Sequence, residues 1–287
     1  MKVAVLGTGL LGSEIAIRLQ DRQFDVTVWN RSPNKANPLA TAGIRPTASA
    51  ADAIASADVT LLLLADAEAI RSTLFSKDTE AVLAGRTIVQ MGTIAPNESR
   101  AIARAVQGAG GDYLEAPVLG SLPEARGGRL IVMAGGDLSL FERCLPVFEA
   151  LSEHPQRVGE IGQGAAMKLA MNQLIAGLTA SFSYSLGLVR EEGIDVQQFM
   201  DLLRGSALYA PTFDKKLDKY LAREYGQANF PVKHLLKDVS LFRQAAEQTR
   251  MDTAPILALE AALARAVGNG LGDADYSAVY ESLVEGR

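Results

Sequence analysis

"VAVLGTGLLGSEIA", Val3–Ala16, decides how the chain begins. A short β-branched run, Lys2–Leu6, stops at three glycines spaced G-x-G-x-x-G (Gly7, Gly9, Gly12), and a helical period follows over Ser13–Asp21. Each glycine has its own physical reason. The first permits a tight turn, the second lets backbone approach a pyrophosphate, and the third allows close packing of helix on strand. The helix N-terminus adds amide donors and the positive end of its dipole. Such a motif is weak in isolation. Here it joins a strand to a helix, and a second strand, Asp25–Trp29 ("DVTVW"), returns at the distance a βαβ unit requires. The pattern predicts a dinucleotide-binding turn.

The end of that second strand discriminates between dinucleotides. An acidic side chain there hydrogen-bonds the 2′-hydroxyl of NAD and repels a 2′-phosphate. This chain has "WNRSPNK" instead. Asn30 is neutral, Arg31 can pair with a phosphate and stack on adenine, and Ser32 and Lys35 add donors. The alternative is an exposed polar turn; the residue types favour NADP(H) over NAD(H).

Further along, strand-like and helix-like segments alternate. Ala48–Ser56 has a helical pattern, and Val59–Leu64 ("VTLLLL") is an unbroken apolar run of the kind buried on both faces of a parallel sheet. Thr87–Met91, Asp112–Glu115 and Leu130–Met133 continue the strands, with helices over Pro96–Gly108 and Leu138–Leu151. Such alternation predicts a doubly wound α/β sheet. From about Gly162 the strand signal stops. Helices are expected over Ala165–Glu192, Val196–Gly205, Pro211–Tyr220, Val232–Gln248 and Pro255–Gly268. The expected domains are therefore 1–161, α/β, and 162–287, all helical.

The composition, 48% hydrophobic and 21% charged, is that of a soluble globular protein, and 287 residues suffice for two ordinary domains. A net charge of −5 gives no basic footprint for nucleic acid or an anionic membrane. The single cysteine, Cys144, excludes an internal disulfide framework and suits a reducing cytoplasm. With two histidines, His154 and His234, and no cluster at metal-ligand spacing, no metal site is expected. The start "MKVAVLGTGLLG" superficially resembles a signal segment, but its glycine spacing argues against that. Leu169–Val189 lacks charge for 21 residues, long enough to span a bilayer. Its many small and polar residues suit a long buried helix between domains or subunits instead.

Gly162–Val189 carries one charge before that stretch, Lys168. A buried ammonium is costly unless paired, exposed or used. Burial also lowers a lysine's pKa and makes it a usable acid near neutrality. Asn172 lies four residues on, on the same helix face. Taken alone, Lys168 is as readily an ion-pair partner as a proton donor; beside a dinucleotide turn and Asn172, it reads as catalytic.

"GTGLLG", "EAPVLGSLPEARGGRLIVMAGG", "GEIGQGAAMKLAMN" and "FPVKHLLKD" resemble, in order and spacing, the motifs of the β-hydroxyacid dehydrogenase family. "VTVWNRSPNK" and "FPVKHLLKD" look most like its NADPH-dependent glyoxylate/succinic semialdehyde reductases. The resemblance implies a Rossmann domain, a helical second domain that completes the active site, and a long interdomain helix that packs against partner subunits in homodimers or homotetramers. It implies a small-molecule substrate bearing a carboxylate. Lys168 would donate a proton to the substrate oxygen, and Asn172 would orient substrate or lysine. Thr93 would sit near nicotinamide and substrate. Phe230, Lys237 and Asp238 would close the site, with Lys237 reaching cofactor or carboxylate. The implied cofactor contacts are Gly7, Gly9, Leu10, Leu11, Gly12, Asn30, Arg31, Ser32, Lys35, Leu64, Ala65, Thr93 and Lys237. Leu119, Gly120 and Ser121 would meet the substrate.

Two positions depart from the pattern. Family members usually have serine after "APV", where it contacts the substrate carboxylate; here it is Leu119, and affinity for a small carboxylate should fall unless Gly120 or Ser121 compensates. Glu115 replaces the commoner aspartate, an exchange expected to be neutral. Rival readings are oxidation of a β-hydroxyacid with NAD(P)+, reduction of an imine, and a non-enzymatic dinucleotide-binding module. The presence of Lys168 argues against the last two.

Overall fold

The Val-, Leu- and Ile-rich runs of the first half pair side by side, because strands buried on both faces satisfy backbone and apolar side chains together. In the computed structural model, which describes residues 1–284, these runs form one nine-stranded sheet. Its strands are β1 (Lys2–Leu6), β2 (Asp25–Trp29), β3 (Arg45–Pro46), β4 (Val59–Leu62), β5 (Thr87–Gln90), β6 (Asp112–Glu115), β7 (Val118–Leu119), β8 (Ile131–Gly135) and β9 (Gln156–Gly159). The order is β3-β2-β1-β4-β5-β6-β8-β7, with β9 on β8. From β3 to β6 all neighbours are parallel; β8 runs antiparallel to β6 and β7.

Helices cover the sheet: α1 (Leu10–Asp21), α2 (Pro33–Ala36), α3 (Ala50–Ser56), α4 (Ala67–Leu74), α5 (Lys77–Glu80), α6 (Pro96–Gly108), α7 (Leu122–Gly127) and α8 (Leu138–Leu151). Several start where a side chain accepts from a first-turn amide: Ser49 for α3, Asp66 for α4 and Asp137 for α8. One apolar layer includes Val5, Ile15, Val28, Leu61, Val89 and Phe148; the other includes Leu6, Ile54, Leu62, Ile70, Ile88 and Tyr113.

Helix α9 spans Gln163–Glu191. The division into two compact units, Met1–Leu169 and one beginning at Ala170, falls within it. The second unit continues with α10 (Val196–Arg204), α11 (Pro211–Ala222), α12 (Val232–Glu247), α13 (Ala254–Ala266) and α14 (Val279–Val284). Its core is aromatic: the Phe182 and Phe213 rings stack 4.6 Å apart, and Tyr220 packs between Phe182 and Tyr280. The buried Lys216 ammonium pairs with Asp275 at 2.6 Å and lies over the Tyr276 ring, so its charge is neutralised where it is desolvated.

The fold is the doubly wound sheet plus helical region that the sequence indicates, with local differences. Helix α1 begins at Leu10 rather than Ser13, because Gly9 itself is its N-cap. Strand β4 stops at Leu62, leaving Leu63 and Leu64 beyond its ladder. Strands β3 and β7, of two residues each, and helices α2 and α5, of four each, are too short to leave a period; the sequence pattern does not indicate β9, α4, α7 or α14 either. Among the described residues, no helix is long and apolar enough to cross a membrane.

Candidate active site

The turn after β1 shows why it needs glycine. Gly7 has φ +100°, and a Cβ there would stand 2.4 Å from the Leu63 carbonyl oxygen. One on Gly12 would stand 1.9 Å from the Gly7 carbonyl oxygen. Gly9 differs: a Cβ there meets nothing of this chain within 4 Å. The space before Gly9 is open, and α1 opens with no side-chain cap over its first amides, those of Leu10 and Leu11. A glycine facing open space at an uncapped helix N-terminus fits a pyrophosphate.

Strand order reverses between β1 and β4, so the carboxyl ends of adjacent parallel strands flank this turn. Leu64, half-buried, follows β4 and approaches Gly7; Ala65 beside it is exposed. Gly92, after β5, leaves room for the Leu64 carbonyl, and Thr93 comes next.

At the end of β2 a pocket of about 410 Å³ is lined by Trp29, Asn30, Arg31, Pro33, Ala36, Asn37, Pro46, Thr47 and Ala48. It carries no carboxylate. The Asn30 side chain accepts from the Thr8 amide at 3.0 Å and donates to the Ser32 carbonyl at 3.1 Å, tying the glycine turn to this pocket. Arg31, Ser32 and Lys35 are exposed. Arg31 lines the pocket, whereas Ser32, the N-cap of α2, and Lys35 lie outside its wall. Sequence reasoning missed Trp29, Pro46 and Thr47, which come together only through the β2–β3 pairing.

Leu119, half-buried, ends β7, and Gly120 follows with φ +133°. The Ser121 amide and hydroxyl both donate to one oxygen of Glu124, each at 2.7 Å. Both Ser121 donors thus meet the chain's own carboxylate. Glu124 was missed too, although Ser-x-x-Glu is the spacing of a helix capping box.

Lys168 and Asn172 lie one turn apart on α9, the first half-buried and the second 2% exposed. The Asn172 Nδ2 donates to Asp238 Oδ2 at 2.6 Å, and the Lys237 ammonium lies 3.1 Å from Asp238 Oδ1. Phe230, half-buried, precedes α12 and packs on Tyr276 with ring centres 5.9 Å apart. Asn172, Phe230, Lys237 and Asp238 belong to the second unit; Lys168, Thr93, Leu119, Gly120, Ser121 and the dinucleotide residues belong to the first.

One buried carboxylate lies at the foot of α9. Glu115 Oε1 accepts from the Gly162 amide at 2.7 Å and the Ala165 amide at 3.1 Å, while Oε2 accepts from the Ser99 hydroxyl. Burial pushes its carboxyl up; the hydrogen bonds from Ser99 and from the Ala165, Gly162 and Gly164 amides oppose that. Among the described residues, no group of three or more His, Cys, Asp or Glu side chains could hold a metal ion.

The model of the NAD-binding domain of 6-phosphogluconate dehydrogenase matches residues 2–162, and that of the NAD-binding region of NADP-dependent 3-hydroxyisobutyrate dehydrogenase matches residues 162–283. Glyoxylate/succinic semialdehyde reductase 1 of Arabidopsis thaliana is 33% identical over 285 residues, 99% of this chain and 98% of that protein. The chain belongs to the β-hydroxyacid dehydrogenase family. Like other members of this family, it is an NAD(P)-dependent dehydrogenase or reductase. Solved structures share the fold. Two of them are Mycobacterium tuberculosis 3-hydroxyisobutyrate dehydrogenase with L-serine (24% identity, TM-score 0.88, 98% of each chain) and the Myxococcus stipitatus imine reductase in complex with NADP+ (21% identity, TM-score 0.66, 97% of this chain and 98% of that one).

Proposed function

We propose that this β-hydroxyacid dehydrogenase family member uses NADPH to reduce a small aldehyde or keto acid, of the glyoxylate or succinic semialdehyde type, to the hydroxyacid. The observation that carries the reading is Lys168 one helical turn from Asn172, whose amide is held by Asp238. The 33% identity with a plant glyoxylate/succinic semialdehyde reductase supports the substrate class. The carboxylate-free pocket with Arg31 in its wall supports NADPH. When bound, the nicotinamide supplies the hydride that reaches the carbonyl carbon.

The residues of the chain do the rest. The Lys168 ammonium donates its proton to the carbonyl oxygen and becomes a neutral amine, to be reprotonated from solvent before the next turnover. With its nitrogen committed to Asp238, Asn172 turns its side-chain oxygen to orient the ammonium or the product hydroxyl. Gly7, Gly9, Gly12 and the Leu10 and Leu11 amides hold the pyrophosphate. Asn30 and Arg31 hold the adenosine end, with Ser32 and Lys35 exposed beside them; of the remaining cofactor contacts that the resemblance implies, Leu64, Ala65 and Thr93 lie in the first unit and Lys237 in the second. Of the substrate contacts that the family resemblance implies, Thr93, Leu119, Gly120 and Ser121 lie in the first unit and Phe230 and Asp238 in the second. The two family models meet at residue 162, which supports a functional division into 1–161 and 162–287.

The test is Lys168→Ala. Turnover should fall by roughly 10²–10⁴-fold with NADPH affinity nearly unchanged. A variant with wild-type turnover would remove Lys168 from the chemistry.

Two observations favour a second reading, an uncharged aldehyde or an imine as substrate. They are Leu119 in the usual serine's place and the Ser121 donors turned onto Glu124. Oxidation of a β-hydroxyacid with NAD(P)+ is the same chemistry reversed. NADPH consumption against glyoxylate, succinic semialdehyde, an uncharged aldehyde and a cyclic imine, with NADH as control, separates the readings. Activity confined to the uncharged compounds would replace the carboxylated class.

The quaternary structure belongs to the same proposal. Along one side of α9, Leu174, Leu178, Tyr184 and Leu188 are exposed at helical spacing, an apolar stripe that a second copy would cover in a homodimer or homotetramer. Sedimentation of Leu174→Lys/Leu188→Lys should show monomers; an unchanged mass would move the interface elsewhere. With a single, buried cysteine, a cytoplasmic setting completes the reading.

A further inference from the structure

Glu115 is 1% exposed and lies where four elements converge: it ends β6, faces Gly135 of β8 in register, accepts from Ser99 on α6, and accepts from the first amides of α9. The surroundings are built around it. A Cβ on Gly135 would stand 2.5 Å from Oε1, and one on Gly164 would stand 3.1 Å from it. Gly162 turns into the helix with φ +96°, a conformation that favours glycine. Ser99 is itself fully buried and lies 2.9 Å from the Tyr113 hydroxyl, so Oε2 is held by a side chain with a fixed partner. Both oxygens are therefore committed, one to the start of α9 and one to Ser99 of α6.

We propose that Glu115 is a positioning residue for Lys168, its buried carboxylate fixing the start of α9 and with it the lysine three residues beyond Ala165. The assignment rests on the reading of Lys168 as proton donor. A negative charge at a helix N-terminus is favourable in itself, but a water-exposed aspartate or serine cap would serve stability as well. Glu115 instead ties the first turn of α9 to the end of β6 and, through Ser99, to α6. Delivery of a proton tolerates little displacement, since a misplacement of about 1 Å can cost on the order of 100-fold in rate. A cap of this kind sets where the ammonium stands without touching substrate or cofactor.

The test compares Glu115→Ala, Glu115→Asp, Ser99→Ala and Lys168→Ala in the full-length protein. It uses NADPH and the aldehyde of highest turnover in the panel above, with activity counted per NADPH-binding site. For Glu115→Ala, kcat should fall roughly 10–100-fold while KM for the aldehyde and Kd for NADPH stay within about 3-fold. The effect of D2O on kcat should grow, because a badly placed donor makes proton transfer limiting. Glu115→Asp, which keeps the charged acceptor, should recover most of the rate. Ser99→Ala, which frees Oε2 and the Tyr113 hydroxyl but leaves Oε1 on the amides of α9, should lower kcat about 3-fold with the same isotope signature, and it stands in should Glu115→Ala not fold. Wild-type kcat per site in Glu115→Ala, or a loss with no change in the D2O effect, would overturn the proposal and leave a structural cap. For Ser99→Ala, an unchanged rate and D2O effect would overturn it likewise. A fully active Lys168→Ala would instead remove the reading on which it stands.

Discussion

Two turns of the α/β unit invite comparison: Gly7–Gly12, which runs from the end of β1 into α1, and Leu119–Glu124, which runs from the end of β7 into α7. Both are short, both contain a glycine with positive φ, and both open a helix. In the first, no side chain caps the helix, and the space before Gly9 stays open. In the second, Glu124 reaches back and takes both the amide and the hydroxyl of Ser121. The first turn is shaped for an outside anion, whereas the second has supplied a carboxylate from its own chain.

The contrast can be broken at either turn. The largest effect is expected from Gly12→Ala, whose new methyl would stand 1.9 Å from the Gly7 carbonyl oxygen. NADPH affinity, read by titration calorimetry, should fall by roughly 100-fold or more, because backbone on both sides would have to shift. Retained affinity would show that the turn has slack the geometry denies it. Arg31→Glu comes next. NADPH should weaken by roughly 10–100-fold, the scale of a charge-assisted hydrogen bond, with NADH changed by less than about 3-fold. Equal losses for both would mean that the pocket at the end of β2 does not select the 2′-phosphate.

The smallest effect belongs to the second turn. Glu124→Gln removes a negative charge and loosens its hold on Ser121, so KM for succinic semialdehyde should fall about 3–10-fold while that for an uncharged aldehyde stays fixed. A KM that rises would make Glu124 part of the substrate's own support. No change for either substrate would mean that the Leu119–Ser121 turn does not read the carboxylate.

Legibility followed the same line. The glycine spacing pointed to a turn because the demand there falls on backbone: a Cβ at Gly7 or Gly12 collides with a carbonyl whatever the side chains do. The sheet was equally legible, since runs such as Val59–Leu62 are apolar on both faces. Helix starts were less so. Ser13 looked like the beginning of α1, but Gly9 is the cap, a role glycine fills without a side-chain signature. The wall of the pocket at the end of β2 was half legible: Asn30 and Arg31 follow the strand directly, whereas Pro46 and Thr47 arrive from another strand's end. Glu115 gave no sign of a special role beyond replacing an aspartate, because its partners are separated from it by 16, 47 and 50 positions.

By itself, then, the sequence determined the doubly wound α/β half, the helical remainder and the dinucleotide turn, as properties of local period and backbone sterics. The motifs also placed Lys168 and Asn172 one turn apart on a helix, because four residues are about one helical turn. Tertiary structure alone decided what occupies the hydrogen-bonding groups at those places. It set Asp238 on Asn172 and Glu115 beneath α9. The physical reason is that a buried polar group must take whichever partner the fold brings within about 3 Å. Apart from a capping-box spacing such as that of Ser121 and Glu124, chain order says little about which partner that is.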